Sequence, residues 1–172
     1  MAVGMLRRTM LFVPGARPER FAKADASGAD MICLDLEDSV PQAGKDEARR
    51  SVIAWLEAAA PRRSEVVVRT NALRSREGLA DLLALAASAR PPDLVAIPKV
   101  ESADELEIAH AVFATCHPAP GLLALVESLR GLERVGSIAR APGVVMLVLG
   151  TADLASEMLT SMEWEPMLLA RM

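Results

Sequence analysis

Six short apolar runs alternate with segments of helical periodicity, and this alternation limits the folds open to the chain. An apolar run without alternating polar residues is typical of a strand that is buried on both faces. Such strands form parallel sheets covered by helices. The predicted strands are Thr9–Val13, Met31–Leu34, Glu65–Arg69, Leu94–Ile97, Leu122–Val126 and Val144–Leu149. The predicted helices between them are Pro18–Ser27, Lys45–Ala60, Gly78–Ala89, Ser102–Thr115 and Leu132–Ala139. The pattern predicts an α/β fold.

Charged or polar side chains cluster where these strands end. The residues are Asp35, Glu37 and Asp38, then Arg69 and Asn71, Lys99, Glu127 and Asp153. The carboxyl ends of parallel strands carry the functional site in a (β/α)8 barrel and in a doubly wound sheet. No glycine-rich phosphate loop follows the first strand, so we predict the TIM-type barrel.

Six β/α units are two fewer than an eight-stranded barrel needs. We expect residues 1–172 to form a single, incomplete barrel domain, truncated after about six units, because the pattern stops at Met172 without a helix cap. Two alternatives remain. Two strands could come from another copy, or the sheet could stay open and expose two apolar edges, which natural proteins avoid.

Composition excludes several functional classes. A net charge of −4 argues against a nucleic-acid or anionic membrane surface. Cys33 and Cys116 form neither a disulfide framework nor a zinc motif. No apolar segment reaches membrane-spanning length, and the amino terminus lacks the apolar core of a signal peptide. We predict a cytoplasmic protein.

Six ordered motifs at the strand ends resemble those of the citrate lyase beta subunit-like proteins, in the HpcH/HpaI aldolase superfamily with the malyl- and citramalyl-CoA lyases. The motifs extend over nearly the whole chain. They are Thr9-Met10-Leu11-Phe12-Val13-Pro14-Gly15, Leu34-Asp35-Leu36-Glu37-Asp38, Val68-Arg69-Thr70-Asn71, Ile97-Pro98-Lys99-Val100-Glu101-Ser102, Leu125-Val126-Glu127-Ser128 and Leu149-Gly150-Thr151-Ala152-Asp153-Leu154.

This resemblance implies a (β/α)8 barrel, assembled as a homotrimer or larger, that binds Mg²⁺ through one Glu and one Asp. The metal ligands would be Glu127, which would also contact substrate, and Asp153. Arg69 would contact a substrate carboxylate or thioester oxygen, and Glu37 and Asp38 would line the catalytic site and order water. Ser128 replaces the family's usual Thr, Thr70 replaces its usual Val or Ile, and strands seven and eight are absent from the sequence.

The implied reaction is Mg²⁺-dependent cleavage of a citryl-, citramalyl- or malyl-type acyl thioester into a 2-oxo acid and an acetyl thioester. The carrier would be CoA or an acyl carrier. Two oxygen ligands from carboxylates suit Mg²⁺, which keeps waters and binds substrate oxygens directly. Thioester hydrolysis and a non-catalytic scaffold are the alternative functions.

Each predicted site residue also has a structural interpretation. Glu127 could cap the following helix, and Asp153 could be the N-cap of a helix over Leu154–Leu159. Arg69 could be an ion-pair partner of Glu37 and Asp38. We interpret Lys99 as a minor structural or electrostatic residue.

Overall fold

A computed structural model describes residues 6–58 and 61–159 of the chain. Six parallel strands form one sheet in sequence order, β1 to β6, with each strand hydrogen-bonded to the next. The strands are β1 (Met10–Pro14), β2 (Met31–Asp35), β3 (Glu65–Arg69), β4 (Leu94–Ile97), β5 (Gly121–Val126) and β6 (Val144–Leu149). All six predicted strands are confirmed, within a residue at each end.

Helices connect the strands, as predicted. They are α1 (Phe21–Asp25), α2 (Lys45–Glu57), α3 (Arg76–Ala87), α4 (Ala103–Phe113), α5 (Leu129–Glu133), α6 (Val135–Ile138) and α7 (Thr151–Glu157). The single helix predicted over Leu132–Ala139 is wrong, because α5 begins three residues earlier and a break at Arg134 separates it from α6. The pattern of Glu163–Met172 also predicts the start of another helix, and these residues lie outside the described ones.

The two faces of the sheet have different coverings, and this distinguishes a barrel from a doubly wound sheet. One buried cluster combines strand residues such as Ile32 and Val68 with helix residues such as Val52 and Leu106. The cluster on the opposite face consists of strand residues alone, among them Cys33 and side chains of the neighbouring strands. Strand side chains fill a barrel interior in the same way, whereas a doubly wound sheet has helices on both faces and a reversal of strand order. The barrel-type fold is confirmed.

The first and last strands of the described sheet each have one strand neighbour. Apolar side chains on both are exposed: Leu11 and Phe12 on β1, and Val145, Leu147 and Leu149 on β6. Within the part of the chain that the structure describes, no helix combines the length and apolarity needed to cross a bilayer.

Candidate active site

The site begins where β2 and β3 end side by side. Asp35 and Arg69 are paired in the strand register, so adjacent strand ends present opposite charges. Arg69 Nε donates to Asp35 Oδ1 at 2.7 Å and Nη2 donates to Oδ2 at 2.9 Å, and both side chains are largely buried. The guanidinium carbon also lies 5.2 Å from the centre of the Phe12 ring. This two-bond geometry fixes the orientation of the guanidinium.

Asp35 also shapes the acidic turn that follows it. Its two carboxylate oxygens accept hydrogen bonds from the backbone N–H groups of Glu37 at 2.9 Å and Ser39 at 3.1 Å. Burial acts to raise the pKa of Asp35, but the hydrogen bonds from Arg69 and Ser39 outweigh it and keep the pKa below its ordinary value. Asp35 is therefore an anionic group that positions its neighbours.

Glu37 and Asp38 lie beside Arg69, as the ion-pair interpretation requires. Arg69 Nη1 is 2.9 Å from Glu37 Oε2 and 3.3 Å from Asp38 Oδ2, but the Glu37 contact lacks hydrogen-bond geometry. Glu37 Oε1 instead accepts a 2.8 Å hydrogen bond from Lys99 Nζ. Glu37 is buried and Asp38 is exposed. Burial raises the pKa of Glu37 despite the two nearby cations.

Glu127 follows β5 directly and is buried. Its Oε1 accepts a 2.8 Å hydrogen bond from the backbone N–H of Lys99. The helix-cap interpretation is wrong, because the N-cap of α5 is Ser128, whose hydroxyl accepts from Gly131 N at 3.1 Å. Burial, followed by the charges of Glu37 and Asp153, raises the pKa of Glu127.

A glycine at the end of β6 makes room for the Glu127 side chain. A Cβ atom at Gly150 would lie 2.3 Å from Glu127 Oε2 and 2.5 Å from Glu127 Cβ, which no side chain tolerates. The backbone therefore approaches this carboxylate closely because position 150 lacks a side chain.

Asp153 lies in the first turn of α7 and its side chain is half-exposed. The N-cap interpretation is wrong, because α7 begins at Thr151 with Gly150 as its N-cap and no side chain caps it. Asp153 Oδ2 is 3.7 Å from Lys99 Nζ. Glu127 also contacts Lys99, through the backbone N–H, so one residue links the two carboxylates.

The structure therefore brings all five predicted site residues to one edge of the sheet. Sequence reasoning assigned no role to Asp35 and only a minor one to Lys99. For Asp35, the available signal was its position at a strand end, aligned with Arg69 at the end of the adjacent strand. The catalytic, substrate-binding and metal-binding roles of the five remain predictions.

The chemistry of the edge suits a hard cation. Five carboxylates surround two cationic side chains, Arg69 and Lys99, among the described residues. The carboxylates are those of Asp35, Glu37, Asp38, Glu127 and Asp153. The raised pKa of Glu127 indicates a carboxylate whose charge lacks full compensation.

Residues 6–58 and 61–159 contain no group of three or more His, Cys, Asp or Glu side chains placed to hold a metal ion together. Sites built from three or four such ligands, as for zinc, are thus not indicated there. Mg²⁺ is commonly held by one or two carboxylates with waters and substrate oxygens. Glu127 and Asp153 fit that smaller requirement.

Comparison with known proteins agrees with the motifs. Residues 8–168 match the HpcH/HpaI aldolase/citrate lyase family. The chain belongs to this family. It is 38% identical to the citrate lyase subunit beta of Escherichia coli strain K12 over 175 aligned residues, covering 96% of this chain and 57% of that protein. It is 37% identical to a (3S)-malyl-CoA thioesterase of Cereibacter sphaeroides strain KD131, covering 88% of this chain and 51% of that protein.

A solved member of the HpcH/HpaI family has the same fold. The citrate lyase beta subunit from M. tuberculosis, complexed with oxaloacetate and magnesium, superposes with a TM-score of 0.71 at 37% identity, covering 90% of this chain and 64% of that one. The chain spans about half the length of the curated relatives it matches. The resemblance inferred from the motifs and the barrel-type fold are confirmed.

Proposed function

We propose that this protein is a Mg²⁺-dependent carbon–carbon lyase. Its substrate would be a citryl-, citramalyl- or malyl-type acyl thioester, cleaved into a 2-oxo acid and an acetyl thioester. The observation that carries the proposal is the placement of Glu127 and Asp153 at the strand-end edge that also carries Arg69, with both carboxylates in contact with Lys99. A relative's complex with oxaloacetate and magnesium supports it.

Glu127 and Asp153 would hold the metal, with a substrate carboxylate and its adjacent oxygen completing the ligand set. Bound Mg²⁺ would supply Lewis acidity that stabilises negative charge on the substrate oxygen that becomes the carbonyl oxygen of the 2-oxo acid. Arg69, held rigidly by Asp35, would bind a carboxylate or the thioester oxygen through Nη1, the nitrogen that makes no bond to Asp35. Glu37 and Asp38 would order water beside the reacting atoms.

In the proposed cleavage, the substrate hydroxyl would pass its proton to the water ordered by Glu37 and Asp38, and its oxygen would become the carbonyl oxygen of the 2-oxo acid. The electrons of the broken carbon–carbon bond pass to the thioester fragment as an enolate, which takes a proton at carbon. The guanidinium of Arg69 is suited to the charge that develops on the thioester oxygen. The thioester carrier would be CoA or an acyl carrier, and the active form would be a cytoplasmic homotrimer or larger assembly.

Thioester hydrolysis is the second candidate, because one relative is named as a (3S)-malyl-CoA thioesterase. The products separate the two reactions. Malyl-CoA would yield glyoxylate and acetyl-CoA by cleavage of the carbon–carbon bond, but malate and free CoA by hydrolysis. A chain that releases neither pair would support the scaffold alternative.

The metal assignment is tested by calorimetric titration of Mg²⁺ into the full chain, with and without oxaloacetate. We expect binding that strengthens with the acid, and we expect Glu127→Ala and Asp153→Ala each to abolish it. Glu47→Ala, which removes an exposed acid on α2, is the control and should bind as the wild type does. Unchanged affinity in both site variants, or no binding by folded wild-type protein, would refute the proposed metal site.

A further inference from the structure

Lys99 has an unusual backbone conformation at the centre of the acidic cluster. It follows β4 by two residues and has a φ of 53°, a left-handed conformation that side-chain-bearing residues seldom adopt. Strain of this kind persists only where surrounding contacts hold it, and such contacts concentrate at functional sites.

Three groups of Lys99 are engaged by different neighbours. Its backbone N–H donates to Glu127 Oε1 at 2.8 Å, and its carbonyl oxygen accepts from Arg74 Nη2 at 2.9 Å. Its ammonium donates to Glu37 Oε1 at 2.8 Å. The left-handed turn therefore lets one residue contact Glu127 through its backbone and Glu37 through its side chain.

The ammonium contacts one acid closely and two others at longer distances. Nζ lies 3.8 Å from Asp38 Oδ1 and 3.7 Å from Asp153 Oδ2, ion-pair distances that are too long for hydrogen bonds. Its tight partner is the buried Glu37. Asp153 is near enough to be attracted by the ammonium, yet makes no hydrogen bond to it.

We propose that Lys99 is a positioning residue that divides the acidic cluster into two pairs. Its ammonium, together with the guanidinium of Arg69, neutralises Glu37 and Asp38, which we call the neutralised pair. Its backbone N–H orients Glu127, which with Asp153 forms the metal pair and remains available to one divalent cation. The inference rests on the proposed function and assigns Lys99 a role beyond the minor one that the sequence suggested.

This role predicts the direction of an unusual effect. Lys99→Met keeps the backbone N–H and an unbranched side chain but removes the charge that repels a cation and attracts Asp153. Mg²⁺ should then bind roughly three- to tenfold more tightly, by Coulomb's law at a partly exposed site. A residue with a merely structural role would weaken binding or leave it unchanged when replaced.

Three further variants make the titration decisive. Lys99→Arg keeps the charge and should restore affinity close to that of the wild type. Lys99→Asn removes the charge with a residue that tolerates the left-handed conformation, so it should bind tightly even if Lys99→Met folds poorly. Lys23→Met, at an exposed position on α1, is the matched control and should not change Mg²⁺ affinity. Weaker or unchanged binding by both Lys99→Met and Lys99→Asn would overturn the proposal.

A second measurement needs no metal. In EDTA, a double-mutant cycle with Lys99→Met and Glu37→Gln should show a coupling of roughly fivefold or more in the unfolding equilibrium constant. The same cycle with Asp153→Asn should show a smaller coupling. If wild-type protein binds no Mg²⁺, the proposed function fails while the cycle still tests the division of the acids. Additive effects of Lys99→Met and Glu37→Gln would refute that division.

Discussion

Acidic side chains lie at both ends of the parallel strands. At the amino-terminal edge, where the strands begin, single acids join separate chain segments, whereas at the carboxyl-terminal edge, where the strands end, five acids lie around two cations. Asp30 accepts hydrogen bonds from the backbone N–H groups of Arg8 at 3.0 Å and Thr9 at 3.1 Å. Asp25 accepts from those of Arg63 and Ser64, both at 3.0 Å. Each of these two acids ties a segment entering a strand to a neighbouring segment.

The electrostatic consequences are opposite. Hydrogen bonds from the Arg8 side chain and backbone lower the pKa of Asp30 to about 2. At the other edge, burial raises the pKa of Glu37 and of Glu127. Ionisation of Asp30 thus stabilises the fold at the amino-terminal edge, whereas ionisation of Glu37 and of Glu127 lowers its stability at the carboxyl-terminal edge. This division is typical of barrels, where functional groups lie at the carboxyl ends of the strands.

The largest expected effect concerns the ion pair between Arg69 and Asp35. This pair lies at the carboxyl-terminal edge but stabilises the fold, as the acids of the amino-terminal edge do. Arg69→Met would leave the buried carboxylate of Asp35 without its partner, which typically costs about 3–5 kcal/mol. Urea denaturation measures this free energy. Arg17→Met removes an exposed cation and should cost less than about 0.5 kcal/mol. A loss below about 1 kcal/mol for Arg69→Met would show that Asp35 does not depend on Arg69.

A smaller loss is expected at the amino-terminal edge. Asp25→Ala would leave the N–H groups of Arg63 and Ser64 without an acceptor, at a cost of about 2–4 kcal/mol in the free energy of unfolding. Asp25→Asn retains one acceptor oxygen and should lose less. Neither variant should change Mg²⁺ affinity in calorimetry, and a changed affinity would contradict the separation of the two edges.

The pH dependence of stability should separate the edges further. Because the folded-state pKa values of Glu37 and Glu127 lie above the ordinary 4.5, the folded protein binds more protons than the unfolded chain just above pH 4.5. Their contribution to stability therefore falls as pH rises through the raised pKa values. The lowered pKa of Asp30 has the opposite sign, since its contribution is present above pH 3.8 and is lost as pH falls toward 2.

Urea denaturation in EDTA from pH 3 to pH 7 tests these signs. Glu127→Gln should flatten the decline above pH 4.5, because the amide imitates the protonated acid. Asp30→Asn should reduce the loss below pH 3.8 and leave the decline above pH 4.5 unchanged. A Glu127→Gln profile that parallels the wild type would show that the folded environment does not shift this carboxyl.

The fold and the members of the site follow from local patterns in the sequence, but the pairing of the site residues does not. Apolar runs and helix-ending residues suffice to predict the six strands, because a strand that is buried on both faces lacks alternating polar residues. Strand ends suffice to gather Arg69, Glu127 and Asp153 at one edge. Periodicity does not reveal the backbone conformation of Lys99, since a left-handed lysine has no compositional signal of the kind that glycine provides.

The sequence also does not show which of several adjacent residues makes a given contact. Asp35 is one of three acids at the end of β2, and the strand register and side-chain contacts show that it, rather than Glu37 or Asp38, makes two hydrogen bonds to Arg69. Glu127 is the cap that the sequence suggests for the following helix, but the hydroxyl of the next residue, Ser128, is the group that accepts from Gly131 N. Such choices depend on distances of an ångström or two, which residue types alone do not determine.

The smallest expected effect separates a structural residue from a functional one at adjacent positions. Ser128→Ala removes the N-cap of α5 and should cost about 1 kcal/mol in the free energy of unfolding, with Mg²⁺ affinity unchanged. Ser128→Asp offers another capping oxygen and should recover most of the stability. Glu127→Gln should do the reverse, weakening Mg²⁺ binding without destabilising the metal-free protein, because it removes a buried charge whose pKa is raised. If Ser128→Ala weakened Mg²⁺ binding as strongly as Glu127→Gln, the cap and the carboxylate would act as one unit. Structural and functional roles would then not be separable at the carboxyl-terminal edge.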